Sequence, residues 1–250
     1  MEFTYDAYKN LIKALKKNKY VITDYHDYEK TDFPCILRHD IDYSLEKAVR
    51  FAKMEYSIGV RATYFVMLTS QFYNVLSRSD RESLKILSGC GHEIGLHFDE
   101  TAYGQCSIKG GMVSKILYEK ELLEDVCGQE VSVVSMHRPS KEVLEEDLKI
   151  PGMVNSYSKK FFTDFKYVSD SRMTWREDVM LYIEKRMYRR MHILTHAFWY
   201  EETVHDMKAS LTAFLDEAGK KRYDALKCNF TDLPGVVGNR DFNKCPQTEI

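Results

Sequence analysis

Short β-like runs alternate with longer amphipathic ones along this chain of 250 residues, and that alternation narrows the possible folds more than any other feature. Seven runs carry the β-forming residues: 35–39, 62–67, 93–98, 131–136, 153–156, 166–169 and 192–196. Between them the apolar residues take helical spacing. Tyr8, Leu11, Ile12 and Leu15 share one face of a helix over 5–17, with Thr4 as its cap. Leu45, Ala48, Val49 and Ala52 do the same after Ser44, and further helices are predicted over 81–87, 112–126 (ended by Gly128), 141–148 (capped by Ser140) and about 202–218. Strand–helix alternation predicts a parallel sheet with crossover helices. With no boundary signal, the length predicts one α/β domain over 1–250, closed as a barrel, with its motif-bearing core at about 35–200. In such barrels the chemistry lies where strands end and loops begin.

Composition enters as a set of exclusions. The 36 Lys+Arg and 38 Asp+Glu leave a net charge of −2, which argues against a basic nucleic-acid binder. No apolar run approaches the roughly 18 residues of a membrane span. Met1-Glu2-Phe3-Thr4-Tyr5-Asp6 does not read as an export signal, so a cytoplasmic location with reduced thiols is expected. The six cysteines (Cys35, Cys90, Cys106, Cys127, Cys228 and Cys245) are scattered and form no CxxC. The 17 Tyr and 13 Phe suit either a core or a sugar-binding surface, and composition does not choose.

Four strand ends carry polar residues with chemical potential. Arg38-His39-Asp40-Ile41-Asp42 closes the first; a spacing of two puts Asp40 and Asp42 on one face, where paired carboxylates share a proton or a cation. The same residues would also serve as a solvated turn before the helix that Ser44 opens. His97, in Gly91-His92-Glu93-Ile94-Gly95-Leu96-His97, ends the next candidate strand and could ligate a metal. Arg138, in Ser135-Met136-His137-Arg138-Pro139, could orient a carboxylate or form a surface ion pair. His196 closes the last apolar strand and precedes Phe198, Trp199 and Tyr200; His192, deeper in the strand, reads as packing. Asp, His, Arg and His at four strand ends converge as a barrel site would. The His39-Asp40 dipeptide also suggests a phosphohydrolase of the HD type, but that chemistry belongs to an all-helical scaffold and this dipeptide closes a β-like run.

In order and content these residues resemble the polysaccharide deacetylase superfamily, the NodB-homology or carbohydrate esterase family 4 fold, and within it the branch associated with O-antigen and other surface-polysaccharide biosynthesis. Residues 38–42 resemble its first motif, 91–97 its second, His137-Arg138-Pro139 its third, Lys166–Ser171 with Trp175 its fourth, and Leu194-Thr195-His196 its fifth. The resemblance implies a distorted (β/α)7 barrel and metal-assisted removal of an N-acetyl or similar acyl group from a sugar during polysaccharide (lipopolysaccharide-type) precursor biosynthesis. It implies Asp40 as general base with Arg138 as its partner, Asp42 and His97 as ligands of a divalent metal (zinc), and His196 as general acid. Asp170, Trp175 and Trp199 become candidates for substrate binding, with Tyr64 and Tyr103 as further stacking candidates.

One position departs from the family pattern. Where the family places a second ligating histidine four residues after the first, this chain has Thr101. A catalytic zinc takes three protein ligands, and His137 is the replacement expected, with Asp99 or Glu100 as alternatives. Without a third ligand the chain would be a non-catalytic carbohydrate-binding barrel. Lacking a visible export signal, the chain is expected to meet a nucleotide-linked, lipid-linked or oligosaccharide sugar inside the cell.

Overall fold

The computed structural model describes residues 1–104 and 111–238. It divides into two compact units, Met1–Glu202 and Thr203–Ile250. The first opens with α1 (Tyr5–Lys17), whose Thr4 Oγ1 accepts from Ala7 N at 3.1 Å, and β1 (Val21–Thr23). Alternation follows: β2 (Pro34–Ile41), α2 (Leu45–Ser57), β3 (Thr63–Val66), α3 (Arg78–Gly89), β4 (Glu93–Phe98), α4 (Met112–Cys127), β5 (Val133–Met136), α5 (Lys141–Glu145), β6 (Val154–Asn155), α6 (Lys160–Thr163), β7 (Lys166–Ser169), α7 (Val179–Glu184) and β8 (Met191–Thr195). The second unit holds α8 (Met207–Lys227), capped by Asp206, and α9 (Leu233–Val237). The helix expected at about 202–218 thus starts later, at that cap, and continues through Gly219. Among the described residues, no helix is long and apolar enough to cross a membrane. Cys35, Cys90, Cys127 and Cys228 are free thiols, while Cys106 and Cys245 lie outside the described residues.

Among the described residues all pairs of these strands are parallel, in the order β6-β5-β4-β3-β2-β8-β7, with β1 added beside β2. The seven expected strands are the seven on this path. β1, only three residues long, was too short to stand out. The sheet curls on itself. Neighbouring strands are about 4.8 Å apart, so a flat sheet would hold β6 roughly 19 Å from β2. Yet Arg38 of β2 donates to Ser156, just beyond β6, at 2.9 Å. The result is the distorted (β/α)7 barrel expected, open between β6 and β7.

Alternation sorts the side chains of β2, all eight of whose residues are buried. Ile36, Arg38 and Asp40 point into the barrel. His39 points outward, where Nδ1 meets Thr195 Oγ1 at 2.6 Å and Nε2 meets Glu55 of α2 at 3.1 Å. Glu55 also accepts from Tyr8 and, at 2.7 Å, from Tyr64. His39 and Asp40 therefore face opposite sides of the sheet and cannot act as one metal-binding dipeptide. The barrel floor is apolar: Tyr25, Tyr28, Ile36, Phe65, Val133, Phe161 and Phe165 pack together, and Tyr25 Oη meets the buried His192 at 2.8 Å.

Gly95 makes room for this floor. A Cβ there would sit 2.5 Å from Phe65 Cε1 and 3.2 Å from the Val133 carbonyl oxygen. Neither neighbour can move freely, so Gly95→Ala is expected to cost about 1–3 kcal/mol. Urea denaturation checks this; an unchanged midpoint would contradict the packing.

Candidate active site

Parallel register brings the strand ends to one mouth. Ile41 pairs with Val66, Val66 with Leu96 and Leu96 with Val134, while His39 pairs with Thr195 and Ser169 with Leu194. Asp42, His97, His137, Asp170 and His196 consequently sit at the carboxyl ends of five strands.

Asp42, His97 and His137 form one cluster of possible metal ligands. Asp42 Oδ1 lies 3.2 Å from His97 Nε2, His97 Nε2 lies 3.2 Å from His137 Nδ1, and His137 Nδ1 lies 3.4 Å from Asp42 Oδ1. Donors about 2.0–2.1 Å from a tetrahedral zinc are about 3.3–3.4 Å from one another. The three atoms therefore fit one face of a tetrahedron. Burial pushes the Asp42 carboxyl up, but hydrogen bonds from His137 and His97 outweigh it and hold the group well below the usual carboxylate range. The alternatives for the third ligand are engaged elsewhere. Asp99 Oδ1 accepts from Thr101 N and Oγ1 at 2.9 and 2.7 Å, and Glu100 accepts from Ser140 N at 2.5 Å.

Asp40 lies beside this triangle, its Oδ2 3.8 Å from His97 Nε2. The expected contact with Arg138 is not formed. Instead Arg38, fully buried, donates to Asp40 Oδ2 at 2.7 Å, to Ser135 Oγ at 2.7 Å and to Ser156 Oγ at 2.9 Å. Its guanidinium lies over Phe65 and Tyr157. Burial raises the Asp40 pKa, but Arg38, His97 and His196 together bring it below the ordinary value. Oδ1 of Asp40 is buried with no hydrogen-bond partner among the described residues, the one oxygen of the pair free to take a proton. Arg138 is exposed, at a left-handed φ of 47°, with its charge acting on the nearby Tyr43. Pro139 and the turn after β5 carry it out of the barrel, whereas Arg38 lies on the inward face of β2.

Asp170 also takes another place than expected. It is fully buried, out of reach of a substrate, and accepts from His196 N at 3.0 and 3.1 Å and meets His196 Nδ1 at 2.6 Å. Adjacency of β7 and β8 makes it the carboxylate that orients His196, leaving Nε2 toward the mouth, 3.8 Å from Asp42 Oδ2. Burial pulls the imidazole pKa down, but Asp170, with Asp42 and Asp40, outweighs that and raises it from 6.5 to about 9. That balance favours the protonated imidazole.

The aromatic candidates separate. Trp199 is 4% exposed and packs on Tyr43 and Phe198, so it shapes the wall without offering a face to a sugar. Tyr64 belongs to the outer network around Glu55. Trp175 is half-buried on the loop after β7. Tyr103 stacks on Phe98 and donates to Glu119 Oε1 at 2.6 Å.

Glu119 is itself testable. Its Oε2 is buried without a partner among the described residues, and burial, with Asp99 nearby, raises its pKa from 4.5 to about 7 despite the Tyr103 bond. A carboxyl raised in the folded state favours folding below about pH 4.5, and that contribution is lost as pH rises through about 7. Glu119→Gln is expected to match wild type near pH 5 and to be about 1–3 kcal/mol more stable at pH 8. Denaturant midpoints at the two pH values decide it; equal shifts at both would contradict the buried acid.

Comparison with family models finds no match, and neither does comparison with curated proteins. Solved structures of low identity do match. One is a mutant, with restored activity, of a CE4 family pseudoenzyme from Bacillus anthracis, at 15% identity and TM-score 0.39, covering 75% of this chain and 62% of that one. This chain thus spans less than two thirds of that relative's length. A polysaccharide deacetylase from Bacillus cereus matches at 15% identity and TM-score 0.43, covering 76% and 88% of the two chains. The chitin deacetylase of the fungal pathogen Colletotrichum lindemuthianum matches at 14% identity and TM-score 0.43, covering 81% and 87%. At such scores, function has to be read from the site itself.

Proposed function

We propose that this chain is a metal-dependent hydrolase that removes an N-acetyl or similar acyl group from a sugar. The observation that carries this reading is the 3.2–3.4 Å triangle of Asp42, His97 and His137 set between Asp40 and His196. A divalent metal, zinc by its imidazole and carboxylate donor set, would polarise the acyl carbonyl and acidify water toward neutral pH. Asp40, its Oδ2 fixed by Arg38, offers Oδ1 to take the proton from the attacking water. His196, protonated and oriented by Asp170, supplies a proton to the departing amine from Nε2. One group, beside His97, accepts and the other, beside Asp42, donates, the division of labour amide hydrolysis requires.

The non-catalytic reading rests on Thr101; the catalytic one is supported by His137, whose Nδ1 lies with Asp42 Oδ1 and His97 Nε2 as a possible third ligand. The substrates we infer are nucleotide-linked, lipid-linked or oligosaccharide amino sugars of surface-polysaccharide biosynthesis.

The test is acyl release from a panel of N-acetyl and N-formyl sugars. Chelator-treated protein should be inactive, and zinc or cobalt should restore acetate or formate release together with a free amine. A metal-replete protein that releases neither from any member would overturn the proposal.

A further inference from the structure

The hydrolysis proposed leaves the network around Glu55, on the outer face of the sheet, without a role. Glu55 is fully buried on α2, and three donors reach its carboxylate: Tyr8 of α1, Tyr64 of β3 at 2.7 Å and His39 Nε2 of β2 at 3.1 Å. His92 lies 3.8 Å away, but its Nδ1 accepts from Ala62 N and its Nε2 meets the Ala52 carbonyl oxygen, both at 3.2 Å. Burial pushes the Glu55 carboxyl up; His39, with His92 and Tyr8, outweighs it and holds the group below its ordinary value. An ionised carboxylate only accepts, so His39 Nε2 carries a proton. On the other side of the ring Nδ1 meets Thr195 Oγ1 at 2.6 Å. Phe51 packs edge-on against both His39 and Tyr8, which keeps water from these bonds. Carboxylate, imidazole and hydroxyl follow in the order of a nucleophilic triad. Thr195 is only 1% exposed, however, on the face away from the barrel interior, so no substrate reaches its oxygen.

The place of these residues in the chain points to another task. His39 and Thr195 are register partners on the adjacent strands β2 and β8. The residues that follow them are Asp40 and His196, the proton acceptor and proton donor of the proposed reaction, and His196 continues in extended backbone at φ −112° and ψ 108°. Successive side chains of an extended chain leave on opposite faces, so the outer pair fixes the two backbones from which the inner pair projects. Inside, Arg38 holds Asp40 and Asp170 holds His196, but neither bond joins β2 to β8; the bond from His39 to Thr195 does. We propose that Glu55 and His39 are positioning residues: through Thr195 they lock β2 to β8 behind the site and so set the separation of Asp40 and His196. A buried charged pair contributes little over apolar packing, whereas a fully satisfied polar network holds one geometry. The positioning rests on the hydrolase reading above and adds an outer tier to it.

Three variants of the zinc-loaded protein test it, assayed well below their unfolding temperatures and with metal content measured. Thr195→Val keeps the shape and removes the hydroxyl, Thr195→Ser keeps the hydroxyl, and Glu55→Gln keeps the shape and removes the charge. Thr195→Val and Glu55→Gln should each lower kcat by about 10–100-fold, with zinc content unchanged and KM within about twofold of wild type. Thr195→Ser should retain most of the turnover. Combining Glu55→Gln with Thr195→Val should cost little beyond the larger single loss, because both act through one imidazole. A second readout needs no turnover: hydrogen exchange of the His196 amide, which donates to Asp170. In Thr195→Val it should quicken by at least about tenfold relative to the amides of β4. Unchanged kcat in Thr195→Val and Glu55→Gln would overturn the proposal, even with lowered stability, and so would zinc lost in step with kcat or equal damage from valine and serine. Should Glu55→Gln not fold, the valine and serine variants decide alone. Wild type that releases no acyl group from any substrate, with the His196 amide still loosened in Thr195→Val, would support the positioning and count against the hydrolase.

Discussion

Alanine at His97 is expected to abolish stable metal binding and to lower acyl release by at least about 10³-fold. Only Asp42 Oδ1 and His137 Nδ1 would remain, 3.4 Å apart, and two ligands do not hold a catalytic zinc. Asp42→Asn should act in the same direction, because it removes the anionic donor that both histidines hold ionised. His137→Ala is the more discriminating variant, since it alone separates this ligand set from one relying on Asp99 or Glu100. Elemental analysis after gel filtration should find metal with wild type and none with the three variants. Full occupancy and activity in His97→Ala would contradict the site.

Asp40→Asn is expected to carry the second large effect, on both turnover and stability. Loss of the general base should lower kcat by about 10²–10⁴-fold with metal still bound. The same change leaves Arg38 charged, fully buried and facing an amide, at a cost of about 3–5 kcal/mol. Arg38→Met should destabilise similarly, by stranding the carboxylate. The double variant Asp40→Asn/Arg38→Met should regain much of the stability and none of the turnover, because the buried charges go together while the base stays absent. Urea midpoints and single-turnover rates for the four proteins close the cycle. Additive stability losses would mean the two residues do not interact as described.

Much of the architecture was legible because it rests on periodicity. Strand runs such as Glu93–Phe98 and helical faces such as Leu45, Ala48, Val49 and Ala52 follow from side-chain spacing. β1 was not legible: three residues, none of them buried, show no alternation, and only pairing with β2 makes them a strand. In the site, Asp40, Asp42, His97 and His196 were readable as polar residues ending apolar runs. Arg38 was readable too, since the spacing that aligns Asp40 with Asp42 aligns Arg38 with both; resemblance to the third family motif drew the choice to Arg138 instead. Asp170 illustrates a firmer limit. Its role depends on β7 lying beside β8, a fact of strand order that no local pattern carries. Trp199 erred the other way: an aromatic run after His196 reads equally as wall or platform until its burial is known.

The measurement closest to the central claim is the crystal structure of the zinc- or cobalt-loaded protein, with anomalous scattering to locate the ion. The account predicts one ion, bound by Asp42 Oδ1, His97 Nε2 and His137 Nδ1 at about 2.0–2.2 Å, with Asp40 Oδ1 and His196 Nε2 on either side of its open position. An ion bound without His137, or no ion at the mouth of the barrel, would contradict it.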